Sequence, residues 1–519
     1  MNSAGDVTLQ PGRWRGGLPP WTRSLAMMAW RGVHVLVPLL AGCGVGCGPM
    51  GWDDGLPGVG VESQELDAGR CGGAPHRVGD ASPNAPPGGG RPDLLVLGGE
   101  QLFYSADDGV HGRELWASNG EDTGTRMLRD VRPGPAGGTP RFLKRVGRQV
   151  FFVADDGVHG PELWKSDGTS GGTVLVKDVR PGPAGSAPDW FTELRGKLYF
   201  TADDGVHGRE LWVSDGTSAG TVLAREFAPG PAAVYLEGLA VWNNRLVLVA
   251  SGEHDVTLWA LETSGAAQVL FRAPETSLVF SLTPVGSRLF FLVDPGDGIA
   301  ALWVSWGLPL LSFPLRRFQG DYPASLTRMG DAVYFMAGAE GFWGGPGDGA
   351  HGGELWKSDG TWLGTRMVKD IRPGAESSLP SGLVVLDGKL FFSADDGVHG
   401  RELWRSDGTS SGTRLWADLE PGSVGSSPEQ LTVVGDALVF SADTPQRGRE
   451  AWLSEALPST ARRLTDIAPG PASSNPHGFV GLGGNVYFAA TDGTGDDALW
   501  SLPLRATPRC LEAVAAEAR

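Results

Sequence analysis

Short apolar runs of strand length, separated by clusters of Gly, Asp, Pro and Ser, organise most of this chain. In one well-formed stretch the runs fall at residues 190–194, 197–202, 210–214 and 221–224, each bounded by turn-forming residues. That punctuation predicts four strands joined by hairpins. Within the runs the apolar residues are consecutive, as in Phe391-Phe392, Leu403-Trp404 and Val174-Leu175-Val176. Successive strand residues face opposite sides, so both faces of each small sheet need cover. A sheet stacked between two copies of itself supplies that cover.

The unit repeats. Glu-Leu-Trp, or a worn copy of it, returns with its tryptophan at Trp116, Trp164, Trp212, Trp259, Trp303, Trp356, Trp404, Trp452 and Trp500, at spacings of 48, 48, 47, 44, 53, 48, 48 and 48. Four antiparallel strands per unit at this period predict an all-β fold, a β-propeller of nine four-stranded blades over residues 91–519. Propellers commonly have about four to eight blades, so eight blades with one irregular unit is the alternative, and the degenerate fourth or fifth unit is the candidate for irregularity. Each Trp is expected to wedge one sheet against the next and to find an acceptor for its indole N–H. Asp-Gly pairs such as Asp156-Gly157 and Asp167-Gly168 mark the two hairpin turns, and Arg180-Pro181-Gly182 marks the link to the next blade.

The sequence Glu162-Leu163-Trp164-Lys165-Ser166-Asp167-Gly168-Thr169 resembles the ELWxxDGT repeat of exported, lipoprotein-like bacterial chains of myxobacterial type, also called hyalin-like. The resemblance covers about residues 91–519. It is intact at Glu162, Glu210, Glu354 and Glu402, the first unit substitutes Asn119-Gly120-Glu121, the fourth and fifth lose most of the motif, and the eighth and ninth keep mainly the Trp. The family implies export and implies no activity.

The amino terminus agrees with export. Arg23 and Arg31 precede an apolar stretch at 33–40, and Leu40-Ala41-Gly42-Cys43 resembles the lipobox of bacterial lipoproteins. By that resemblance residues 1–42 are a signal peptide, with Met27 or Met28 as an alternative start, and Cys43 carries the lipid anchor at the cell envelope, in the outer membrane or at the surface. Residues 43–90, rich in Gly and Pro, read as a flexible tether. Cys71 and Cys510 are a candidate disulfide, which the oxidising space outside the cytosol permits if the domain closes on itself.

Charge narrows the partners. With 60 acidic and 43 basic side chains the net charge is −17, which argues against nucleic acid, whose phosphates require clustered Lys and Arg. Repeated Asp-Asp-Gly-Val-His-Gly loops carry His111, His159, His207 and His399, with His351 their counterpart, and Glu114, Glu162, Glu210, Glu354 and Glu402 follow three residues later. A catalyst needs one asymmetric constellation, whereas these groups recur in blade after blade, so they are expected to serve the fold. Calcium is the one cofactor considered, with hard oxygen ligands at Asp107, Asp108, Asp155, Asp156, Asp203, Asp204, Asp395 and Asp396. An insertion within 338–350 presents Phe342 and Trp343 as a contact loop, or one that folds back over its own blade. These features favour a monomeric, non-enzymatic scaffold that binds an unknown protein or glycan at the envelope. The alternatives are a polysaccharide hydrolase or lyase using Glu253, His254, Asp255 and Asp294 in the divergent units, and a structural envelope protein.

Overall fold

In a computed structural model of the chain, the residues described are 75–79, 90, 92–230, 234–319, 323–338, 351–455, 461–493 and 497–504. Residues 1–42, Cys43, Cys71, Cys510, Phe342 and Trp343 lie outside them. The described residues form nine four-stranded antiparallel sheets in sequence order. The blades span 93–129, 141–177, 189–225, 235–274, 278–319, 324–369, 381–417, 429–463 and 477–503. The innermost strand of each blade lies against those of both neighbours, the last against the first, so the ring is closed.

Predicted and observed strands coincide closely. The third blade consists of Asp189–Leu194, Lys197–Asp203, Arg209–Ser214 and Val222–Arg225. Paired phenylalanines divide between two interfaces, as a two-residue period requires. Phe152 packs with Phe103, Leu115 and Trp164 between the first and second blades, and Phe151 packs with Leu198, Phe200 and Trp212 between the second and third. Tyr487 and Leu499 meet Tyr104 and Trp116 where the ring closes. Burying each such side chain contributes about 1.5–3 kcal/mol, so the stacked interfaces hold the array together.

The structure departs from the sequence expectations in four places. The fourth and fifth blades are regular, which removes the eight-blade alternative. They lack the long Asp-Gly-Thr turn and instead carry eight-residue outer strands, Ala267–Pro274 and Ser312–Gln319, where the second blade has only Val174–Lys177. Closure is the second difference. His76–Arg77, inside the expected tether, forms the outermost strand of the ninth blade, with His76 paired to Ser501 and Arg77 to Trp500. Two residues are too few to show periodicity.

Third, the indole N–H groups are unevenly satisfied. Those of Trp116 and Trp500 donate to the carbonyls of Ala106 and Ala490, and that of Trp259 to the Thr257 hydroxyl. Those of Trp212, Trp303, Trp356, Trp404 and Trp452 are buried with no protein acceptor. Cations cover several ring faces instead: Lys177 lies 5.8 Å from the Trp212 centroid and donates to the Thr221 carbonyl, and Lys369 does the same with Trp404 and Thr413.

The fourth difference is a bulge. One residue of each innermost strand adopts a left-handed backbone, with φ between 56° and 66°: it is the second residue in seven blades, at Leu94, Phe142, Trp190, Ser325, Gly382, Gln430 and Gly478, and the fourth in the longer innermost strands of the fourth and fifth blades, at Gly238 and Ser281. Register shifts accompany it, for example between Asp189 and Thr192. Such bulges bend and twist a strand locally, here next to the ring axis.

Candidate functional site

Antiparallel order places the loops between second and third strands, together with the links between blades, at one end of the ring. The turns between first and second strands and between third and fourth strands occupy the other end. The histidine loops of the first, second, third and seventh blades therefore share the first end, set one strand back from the innermost ring.

Each loop is internally wired. Asp156 Oδ1 accepts the amides of Val158 and His159, and its Oδ2 lies 2.7 Å from His159 Nδ1. The loops at Asp108, Asp204 and Asp396 repeat this arrangement with His111, His207 and His399. The aspartate hydrogen bond raises the pKa of all four imidazoles. Burial pushes the four aspartates up, but the hydrogen bonds from the histidine amide and ring outweigh it and leave them below the ordinary value. The preceding aspartates cap the turn and tie blades together. Asp155 Oδ1 accepts Gly157 N–H, while Oδ2 accepts Arg132 Nη1 from the previous link at 3.1 Å. Arg180 to Asp203 and Arg372 to Asp395 are equivalent, at 2.7 and 2.9 Å.

The glutamates are buried structural anions. Glu162 accepts the amides of Val179, Arg180 and Ser186 and the Ser186 hydroxyl, so it staples its own third strand to the link and to the approach of the next blade. Glu354 and Glu402 make the same set with Ser378 and Ser426. Glu450 in the eighth blade does so too, through Thr465, Ile467 and Ala468. The eighth unit thus retains the carboxylate as well as the Trp, a likeness hidden by Ala451 in place of Leu. All six glutamates are fully inaccessible to solvent. Desolvation raises the pKa of Glu114 to about 6 and that of Glu402 to about 7, and raises those of Glu162, Glu210 and Glu354, against the lowering effect of their amide donors. A proton acceptor sealed from solvent and held by backbone amides is placed for architecture, not for turnover.

The four residues of the divergent units do not form a constellation. Glu253 and His254 are exposed, Asp255 pairs with Arg272 at 3.1 Å, and Asp294 caps its own turn through Gly296 N–H. Among the described residues no group of three or more His, Cys, Asp or Glu side chains is arranged to hold a metal. The calcium candidates at Asp107, Asp155, Asp203 and Asp395 and at the aspartates after them already accept turn amides, with imidazole or guanidinium partners at several of them. No helix among the described residues is long and apolar enough to cross a membrane.

No protein-family model matches the chain, and no curated protein matches it. Solved structures share the fold. The chain is similar to a puromycin-hydrolysing peptidase of Mycobacterium tuberculosis, at 12% identity and a TM-score of 0.41 over 81% of this chain and 61% of that one. It is similar to oligopeptidase B from Leishmania major, at 11% and 0.40 over 71% and 54%. It also matches the β-propeller domain of the trilobed protease from Pyrococcus furiosus, at 15% and 0.32 over 63% and 97%. The chain spans about half to three fifths of the length of the whole peptidases, and at these identities the likeness concerns the fold alone.

Proposed function

We propose that this protein is a non-enzymatic binding scaffold, exported and held at the bacterial cell envelope by a lipid on Cys43, that presents one end of a nine-bladed propeller to a protein or glycan. One observation carries the reading: the recurring His, Asp and Glu groups are spent on turns, blade links and buried staples. The lipobox resemblance at Leu40-Ala41-Gly42-Cys43 supports the location, and the net charge of −17 supports partners other than nucleic acid.

The test is an array of envelope proteins and polysaccharides probed with the full chain, alongside a hydrolysis and lyase assay on the same polysaccharides. Saturable binding without turnover supports the scaffold. Chain cleavage that is lost on Asp255→Asn or Asp294→Asn moves the assignment to the enzymatic alternative, and an absence of any binder with the ring intact leaves the purely structural role. Calcium is tested separately by melting with and without the ion, since a ligand of the native state raises stability by mass action. With the loop carboxylates engaged as they are, an unchanged midpoint is expected.

A further inference from the structure

The repeat supplies its own control for reading surface residues. At the turn between third and fourth strands, the second, third and seventh blades carry Ser170-Gly171, Ser218-Ala219 and Ser410-Ser411, while the sixth carries Trp362-Leu363. The turn therefore folds with small polar residues, and nothing in its geometry requires a Trp and a Leu. Yet Trp362 is 50% exposed and Leu363 79%. The same turn of the adjacent fifth blade, at the same end of the ring, carries Trp306, Leu308 and Leu310, exposed to 49%, 55% and 65%, followed by exposed Phe313. By contrast, the exposed valines Val110, Val158, Val206 and Val398 recur singly, one at the tip of each histidine loop at the opposite end.

Arginines join the two turns into one surface. Arg288 lies 5.8 Å from the Trp306 ring and donates to the carbonyls of Asp331 and Asp359 in the sixth blade. Arg316, from the outer strand of the fifth blade, lies 4.2 Å from the Trp362 ring and donates to the Thr365 carbonyl. Residues 305–313 contain no carboxylate, and 358–365 contain one, Asp359, whose Oδ1 is bound by Thr361. On a chain of net charge −17 these two turns therefore form an apolar patch flanked by Arg288 and Arg316, with Asp331 of the sixth blade's first-to-second strand turn as a further exposed carboxylate at this end. Projecting aromatic and leucine side chains beside Arg match the interface of a bilayer, where rings sit at headgroup depth and cations meet anionic lipid.

We propose that the third-to-fourth strand turns of the fifth and sixth blades insert into an anionic lipid surface and orient the propeller on it. This deepens the envelope location proposed above. An anchor at the end of a long tether holds the propeller near the membrane without orienting it, and the apolar turns supply the orientation. From Cys43 to His76 lie about 32 residues, which extend to roughly 100 Å at about 3.3 Å each, enough for an anchored propeller to lay either end on its membrane.

The test uses full-length chain carrying Cys43→Ala throughout, so that lipidation plays no part and its failure is a separate result. Co-sedimentation is measured with vesicles of phosphatidylcholine alone and with one quarter phosphatidylglycerol. Binding to the anionic vesicles is expected, at least tenfold weaker after Trp362→Ser with Leu363→Ser, and near background after Leu308→Ser and Leu310→Ser are added. Neutral vesicles and high salt should weaken it severalfold. The paired serines reproduce Ser410-Ser411, so the fold is expected to persist, checked by an unchanged melting midpoint. A Val158→Ser, Val206→Ser control at the opposite end should bind as the parent does. Equal binding by the serine variants, or no binding by the parent, overturns the proposal. So does a parent that sediments as a dimer which those serines dissociate, since the surface then belongs to a second copy.

Discussion

At the scale of the residue, the left-handed position in each innermost strand is the sharpest constraint. Gly382 has φ +64° with Leu431 no closer than 3.6 Å to an added Cβ, so space is available and only the backbone objects. Gly382→Ala is expected to lower stability by about 1 kcal/mol, and Gln430→Gly, at φ +57° in the next blade, to raise it by up to about 1 kcal/mol. Chemical denaturation of the two variants checks the opposite signs. The Ser426 hydroxyl gives a second case. It donates to Glu402 inside the fold at 2.7 Å, and Ser426→Ala should cost about 1–3 kcal/mol because it leaves a buried carboxyl oxygen without its hydroxyl partner. Neither position was legible in the sequence: Gln430 looks like any polar strand residue, and the link from Glu402 to Ser426 spans 24 positions with no local period to betray it.

At the scale of the element, the histidine loop and the glutamate staple act together on pH dependence. Glu114, Glu162, Glu210, Glu354 and Glu402 have folded pKa values above the ordinary 4.5 and the four imidazoles values above 6.5. Both sets hold more protons folded than unfolded, so the stability they contribute is present at low pH and is lost as pH rises through those raised values. Asp108, Asp156, Asp204 and Asp396 lie below 3.8 and contribute the reverse, stability lost only as pH falls beneath that. The melting midpoint should therefore be highest near pH 4–5, above the aspartates' range and below the ordinary glutamate value, and decline toward pH 8. A midpoint that climbed steadily from pH 5 to pH 8 would contradict this assignment of the buried carboxylates. The strands and turns of each element were readable from apolar runs and Asp-Gly pairs. Which groups the polar side chains contact was not, because those partners sit in the link to the next blade.

At the scale of the molecule, blade number followed from counting tryptophans, but the manner of closure did not. His76–Arg77 and Asp497–Pro503 run antiparallel, so the chain arriving at the first and the chain leaving the second do so at the same end of the ninth blade. The Cys71 to Cys510 bridge expected from the sequence would, in the chain-entropy model, contribute on the order of 5 kcal/mol for so long a loop. Cys71→Ser and Cys510→Ser should each lower the melting midpoint equally, with no further loss in the double variant; a reductant should reproduce the effect on the parent. The apolar turns of the fifth and sixth blades were equally hidden at this scale, since Trp306 and Trp362 are 56 residues apart in sequence and become neighbours only through the ring.

The two-residue closing strand also sets where the ring yields under load. Whatever pulls on the amino-terminal side of His76, a membrane in motion or a bound partner drawn away, applies its force along a strand held by only two ladder pairs. The eight other blades feel none of it until that strand peels. A propeller attached in this way has a mechanical fuse at its seam, and a covalent link between Cys71 and Cys510 would carry the tension past it.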